Sequence, residues 1–438
     1  VFAEGLASSY EAFLETRAAN RSGSESPVDD DEDHDQYRGH GTNSAGHWYL
    51  DQLEWALQGD AGPPPHPKLA ATVRRAIDAW RRGEKVLVFC HYLQTGRVLR
   101  QRISSALNAE ILRLAGERFQ CEAAEAEQHL DRLGKRFFDE DSPARRQCDA
   151  EAGLILDAFP GLQDLRSAWL DIVRRNIRTP SFLARFFTLG IDGFGEREVS
   201  EAFHRRDESG LSLRGVLEHF FRFLHERCGK QDRENYLVAL QKVQTGSHSS
   251  HEMQQSFDAD ELDGPESAGG LLPNVRLANG KVRAETRRRL MLTFNTPFYP
   301  EVLIASSVMA EGVDLHRNCR YVIHHDLCWN PSTLEQRTGR VDRIGAKAEI
   351  CGKPIHIYLP YIAATQDEKM YRVVMDRERW FGVVMGENYQ VDARSTEKLA
   401  ERIPLPDMAA AELAFHLEVP TAPDDVNGRV GSQIGRDM

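Results

Sequence analysis

Between Pro300 and Gly345 the chain sets two short apolar runs and a polar loop ahead of a helix that starts at a hard break, an order few folds can use. Val302–Ala305 is apolar and of strand type. Ser306 to Glu311 then turns, Gly312, Val313 and Asp314 follow, and Tyr321–Ile323 is a second strand-like run. Asn330 and Pro331 break the chain. Ser332 and Glu335 stand at capping-box spacing, in which each side chain satisfies a free N–H at the helix start. Gly345 is a natural stop, because glycine tolerates the left-handed backbone that ends helices. On the helix so predicted, Gln336, Gly339, Arg340 and Arg343 fall at i, i+3, i+4 and i+7, which is one face. Leu334, Val341 and Ile344 lie mainly on the other side and suit a core. An arginine fork matches phosphate oxygens, and a bare glycine between two arginines lets a polyanion approach closely. Most arginine-rich turns are instead solvated or paired within the chain, here with Asp342 or Glu335. The preceding strand, loop and strand favour the ligand.

That order, with Asp326, Trp329, Asn330 and Pro331 followed by Gln336, Gly339, Arg340, Arg343 and Gly345, resembles the second RecA-like lobe of superfamily 2 helicases and translocases. It is most similar to the Swi/Snf-type, RapA-like branch. The resemblance implies an α/β fold: a RecA-like parallel sheet flanked by helices, with a large inserted helical subdomain. It implies ATP as cofactor, with Gly312, Asp314, Gln336, Arg340 and Arg343 facing the nucleotide. Arg340 and Arg343 would be arginine fingers, Asp314 a ribose contact and Gln336 the link to the nucleic-acid side. Gly280 and Ser306 would approach a nucleic-acid backbone, read as double-stranded DNA. Ser306 stands where many relatives have Thr, which keeps the hydroxyl. Glu311 stands where the DEAD-box branch has Arg, so that branch's nucleic-acid contact does not carry over.

No G-x-x-x-x-G-K-[ST] occurs in the chain. That loop cradles phosphates with backbone N–H groups while its lysine reaches the terminal ones. Asp31, Glu32, Asp33 and His34 imitate the D-E-x-H motif, but nothing apolar precedes them, and an acidic linker is the better reading. The resemblance therefore places the phosphate cradle and the Mg²⁺ ligands in an N-terminal lobe of the same protein, upstream of Val1.

The remaining chain falls into segments. Residues 1–67 read as an interlobe linker, helical over Leu6–Arg17 and acidic over Arg21–Gly46. Residues 68–108 carry the first part of the lobe: an amphipathic helix on Leu69, Val73, Ile77 and Trp80, then the buried strand Lys85–Cys90 ahead of His91, then a helix from Thr95. Residues 109–273 are too long for a loop and helical in period, as in Ala152, Ile155, Leu156 and Phe159. They read as a separate helical body and a candidate seat for a protein partner. His248 and His251 lack companions at metal-site spacing. Residues 274–390 complete the lobe, including Glu285–Asn295, the strand 354–359 and a helix capped by Thr365 and Glu368. Residues 391–438 are a loosely ordered tail.

Composition adds bounds. The net charge of −12 excludes a uniformly basic nucleic-acid binder but not a local basic stripe. Residues 276–347 hold such a stripe, with 12 Lys/Arg against 7 Asp/Glu. Seven dispersed cysteines without a C-x-x-C, and no membrane-length apolar run, point to a cytoplasmic protein with reduced thiols. Two other classes stay open: a non-catalytic nucleic-acid-binding module, and an interaction scaffold built on the lobe.

Overall fold

The computed structural model describes residues 2–22, 50–51, 53–55, 57, 65–187, 195–243, 271–280, 282–306, 314–328 and 330–384. Gly312, Trp329, His248, His251, the acidic run 29–35 and the tail 391–438 lie outside these. The chain divides into two compact units, Val1–Arg372 and Val373–Met438. Of the second, only the end of one helix is described.

Two helices, α1 (Phe2–Ser8) and α2 (Tyr10–Ser22), open the chain. Helix α3 (Pro67–Arg81) starts with proline at its first position, where the missing N–H costs nothing. It ends at Gly83, whose φ of +83° favours glycine and allows the sharp entry into β1 (Lys85–Phe89). Helix α4 (Leu93–Phe119) runs well past residue 108, where the sequence places the start of the insertion. Helices α5 (Ala123–Arg136), α6 (Pro143–Asp157), α7 (Arg166–Ile177), α8 (Pro180–Phe186), α9 (Glu196–His204), α10 (Leu213–Arg227) and α11 (Lys230–Gln241) follow. Then come β2 (Val275–Ala278), α12 (Ala284–Phe294), β3 (Val302–Ala305), β4 (Cys319–His324), α13 (Pro331–Thr338), α14 (Lys347–Cys351), β5 (His356–Tyr358) and α15 (Gln366–Val384).

The five strands form one parallel sheet in the order β2-β3-β1-β4-β5. The α/β fold with a parallel sheet flanked by helices is thus as expected. Strands β1 to β4 are buried at every position, as a sheet covered on both faces requires. Alternation sends Val86, Val88, Val302, Ile304 and Ile323 to one face, and Leu87, Phe89, Leu303, Ala305 and Val322 to the other.

The first face carries α3, α4 and the helical block. Trp169, Phe221 and Phe187 are fully buried there, in one core continuous with Val86 and Ile304. Phe220 of α10 meets Phe298 edge-on at 6.1 Å. Buried Glu301, just before β3, accepts from Trp80 Nε1 at 2.9 Å, Ser181 Oγ at 2.5 Å and Asn274 Nδ2 at 2.8 Å, and pairs with Arg185 of α8. The inserted helices are therefore not the separate body that their length and period imply. They share the sheet's core, because Phe220, Ser181 and Arg185 reach it directly.

Among the described residues the second face is thin. Leu290 and Phe294 of α12, with Leu315 and Val341, cover Leu87, Phe89 and Leu303.

Candidate active site

The arginine turn belongs to this thin face. Asn330 caps α13: its side chain accepts from the Ser332 N–H at 3.0 Å, and Pro331 takes the first helical position. The Ser332–Glu335 box is not what starts the helix, since the N-cap is Asn330 and not Ser332. The helix also ends early, at Thr338. Gly339, Arg340, Val341 and Asp342 then close tight turns, with Gly339 N–H on the Glu335 carbonyl at 2.7 Å and Val341 N–H on the Thr338 carbonyl at 2.9 Å. Gln336, Arg340 and Arg343 therefore do not share one helical face.

A long-range contact outcompetes the helix. The Leu315 N–H donates to the Arg340 carbonyl at 2.9 Å, and the Lys347 N–H to the His316 carbonyl at 2.9 Å. Val341 inserts into the core as expected, and Leu334 is buried, but Ile344 is 95% exposed and belongs to no core. Gly345, at φ +80°, turns the chain into α14.

This pairing brings three of the expected residues together. Arg343 forms an ion pair with Asp314, and both remain substantially exposed. Arg343 Nε also donates to the Gly339 carbonyl at 3.1 Å. Arg340 is half-buried beside them, while Gln336 is exposed on α13. Gly280 and Ser306 lie elsewhere, at the carboxyl ends of adjacent strands β2 and β3. The Ser306 N–H donates to the Ala278 carbonyl at 3.0 Å, and its hydroxyl is buried with no hydrogen-bond partner among the described residues. Arg287 reaches the Asn279 and Gly280 carbonyls at 3.4 and 3.3 Å, Arg276 is buried and Arg288 is exposed.

Four further residues support the turn. Asn295 accepts from the Arg317 N–H at 3.3 Å and donates to the Asp314 carbonyl, which holds that loop. Arg337 is buried with its guanidinium over the Phe89 ring at 5.5 Å. His324 stacks on Phe89 and bonds Thr338 Oγ1 at 3.1 Å. Burial, aided by Arg337, pushes the His324 pKa down to about 3. Glu84, fully buried, pairs with Arg320 at 2.8 Å and Lys347 at 2.7 Å and so pins the end of the turn. Sequence reasoning missed Arg337, although Leu334, Arg337 and Val341 are spaced as one buried stripe. Nothing local marks Glu84, because its partners lie more than 200 residues away.

Asp326 sits at the carboxyl edge between β1 and β4. It accepts from the His91 N–H at 2.7 Å. Burial pushes its pKa up, but His325, Lys68 and that N–H outweigh burial and hold it low. Lys68 bonds Asp367 at 3.0 Å. His325 bonds Thr72 at 2.8 Å and the Ser8 carbonyl at 3.0 Å, so α1 is tied over this edge. Among the described residues no group of three or more His, Cys, Asp or Glu is placed to hold a metal ion, and no helix is long and apolar enough to cross a membrane. The seven cysteines are free thiols.

The helicase conserved C-terminal domain family matches residues 222–345, a span that contains the arginine turn and leaves out β1. An uncharacterized ATP-dependent helicase, YqhH, of Bacillus subtilis (strain 168) is 36% identical over 87 residues, covering 20% of this chain and 14% of the relative. A putative ATP-dependent helicase/translocase, YwqA, of the same organism is 23% identical over 174 residues, 39% of this chain and 16% of the relative. The RNA polymerase-associated protein RapA of Vibrio vulnificus (strain YJ016) is 40% identical over 75 residues, 16% of this chain and 7% of the relative. The matches thus span 7 to 16% of these relatives' own length.

Proposed function

We propose, from the premise that the chain carries the helicase C-terminal domain of a Snf2-like superfamily 2 ATPase, that it is the second motor lobe of an ATP-dependent DNA translocase. In this reading Arg340 and Arg343 act on the β- and γ-phosphates of ATP held by a first lobe. Charge spreads over the phosphoryl oxygens during transfer, and permanently charged guanidinium groups stabilise it there. The observation that carries this is the Arg340–Asp314–Arg343 grouping, built by a backbone pairing between two distant loops. An ion pair this exposed is worth about 0–1 kcal/mol. Arg343 is therefore easily released to a phosphate, and Asp314 to a ribose hydroxyl. In the same reading Gly312 serves the nucleotide side, and Gln336 the nucleic-acid side. Gly280 and Ser306, on neighbouring strand ends, contact the DNA backbone, with the exposed Arg288 adding charge. Mg²⁺, if used, takes its ligands from the first lobe.

The two halves can be separated to test this. Residues 1–438 alone should not hydrolyse ATP. The full-length natural protein should do so, and faster with double-stranded DNA present. Robust hydrolysis by residues 1–438 alone overturns the reading, as does a full-length protein indifferent to DNA.

A further inference from the structure

The loop that carries Asp314 is held from two sides. On one side, Leu315, His316 and Asp314 are bonded to the arginine turn, as described above. On the other, Arg317 leaves the loop and meets the inserted helices: its guanidinium lies 3.4 Å from the centroid of the Phe223 ring on α10. Phe223 is itself set edge-on against Tyr236 of α11 at 5.9 Å. The backbone N–H of the same Arg317 donates to Asn295, whose amide holds the Asp314 carbonyl. Asn318 Nδ2 donates to the Asn295 carbonyl at 2.7 Å. An unbroken path therefore runs from α10 through Phe223, Arg317, Asn295 and Asp314 to Arg343.

Arg317 is half-buried, and burial pushes its pKa down, against the attraction of Tyr236 and Cys228. Among the described residues no carboxylate is bonded to it. A half-buried guanidinium is compensated in part by an aromatic face, and a partly desolvated cation–π contact is worth about 1–2 kcal/mol. Moving α10 relative to the sheet changes that contact first. The backbone of Arg317 must follow, because its side chain and its N–H are held at opposite ends.

We propose that Phe223 and Arg317 are positioning residues: the inserted helix α10 sets the 314–318 loop and, through it, Arg343, so that whatever moves the insertion regulates ATP turnover. This deepens the motor reading and rests on it for its functional half. Its physical half does not.

Hydrogen exchange on residues 1–438 tests the physical half. Phe223→Leu should speed exchange of the Leu315, Arg317 and Lys347 amides about tenfold, while the β1 amides stay unchanged. Phe223→Tyr, which keeps the ring face, should restore slow exchange. ATP turnover of the full-length protein tests the rest, at a temperature where all variants are folded. Phe223→Leu and Arg317→Met should each lower kcat about tenfold and should not add when combined, and Phe223→Tyr should recover kcat. A purely structural Phe223 would lower the melting temperature, with the Leu and Tyr variants turning over alike.

Unchanged exchange at Leu315, Arg317 and Lys347 in Phe223→Leu overturns the path. Unchanged kcat in Phe223→Leu, in a protein where Arg343→Ala has collapsed kcat, overturns its role in turnover. If Arg343→Ala itself leaves kcat intact, the motor reading is what fails, and the exchange result still decides whether α10 holds the loop.

Discussion

The two faces of the sheet are built on different terms. One is covered by the aromatic and aliphatic packing of nine helices, α3 to α11, in a core that runs from Val86 to Phe221. The other is covered by α12 and two loops, with Val341 as the one anchor that the arginine turn sends into the core cluster. The thick face holds its ions buried and paired, as at Glu301 and Arg185. The thin face leaves Asp314 and Arg343 in reach of solvent. Burial is deep on the thick face, and the turn proposed to meet ATP lies where the backbone is bonded across two loops but the charged side chains are exposed.

Trp169→Ala, on the thick face, should show the largest effect: a loss of about 3–5 kcal/mol in urea unfolding, with sheet and helices melting together. Val341→Ala should cost about 2 kcal/mol and should raise exchange mainly in residues 314–318 and 339–347. Equal losses in the two variants would erase the distinction between the faces.

Arg185→Met should also destabilise strongly, by about 3 kcal/mol, because it strands Glu301 in a buried site. Adding Glu301→Gln should recover part of the loss, since the stranded charge is then gone. No recovery would mean that the guanidinium matters for packing on Trp80, whose ring centroid it overlies at 5.0 Å, and not for charge.

A smaller effect is expected with pH. Burial lowers the pKa of His324 to about 3 and that of His316 to about 4, from an ordinary 6.5. The unfolded chain therefore binds more protons than the folded one below pH 6.5. Stability from these neutral rings is complete above that pH and falls as pH drops from 6.5 towards 4. The melting temperature should decline from pH 7 to pH 5, and His324→Gln should make the decline shallower by about one proton's worth. Parallel declines in the two proteins would show that His324 is not kept neutral by the fold.

The same contrast explains what the sequence could and could not convey. Val302–Ala305 was legible to the residue, and Lys85–Phe89 nearly so, because buried parallel strands are continuous apolar runs. The helical character of 109–243 was legible from period. The shared core was not, because Arg185 and Glu301 are separated by 116 residues. In the site, the grouping of arginines was legible and its geometry was not. Period alone fits one helix from Ser332 to Gly345. The Leu315 and Lys347 amides, pairing across the gap to β4, stop it at Thr338. Ile344, apolar and in phase with Leu334 and Val341, was left outside for the same reason.

The most direct test of the account is ATP turnover by the full-length protein carrying Arg343→Ala or Arg343→Lys, measured beside nucleotide affinity. An arginine finger contributes mainly in the transition state, so Arg343→Ala should cut kcat on the order of 10³-fold while affinity changes far less. Lysine should recover only part of the loss, because it lacks the planar fork. Near-normal kcat in a folded Arg343→Ala protein would contradict the assignment of this turn to the chemistry of ATP.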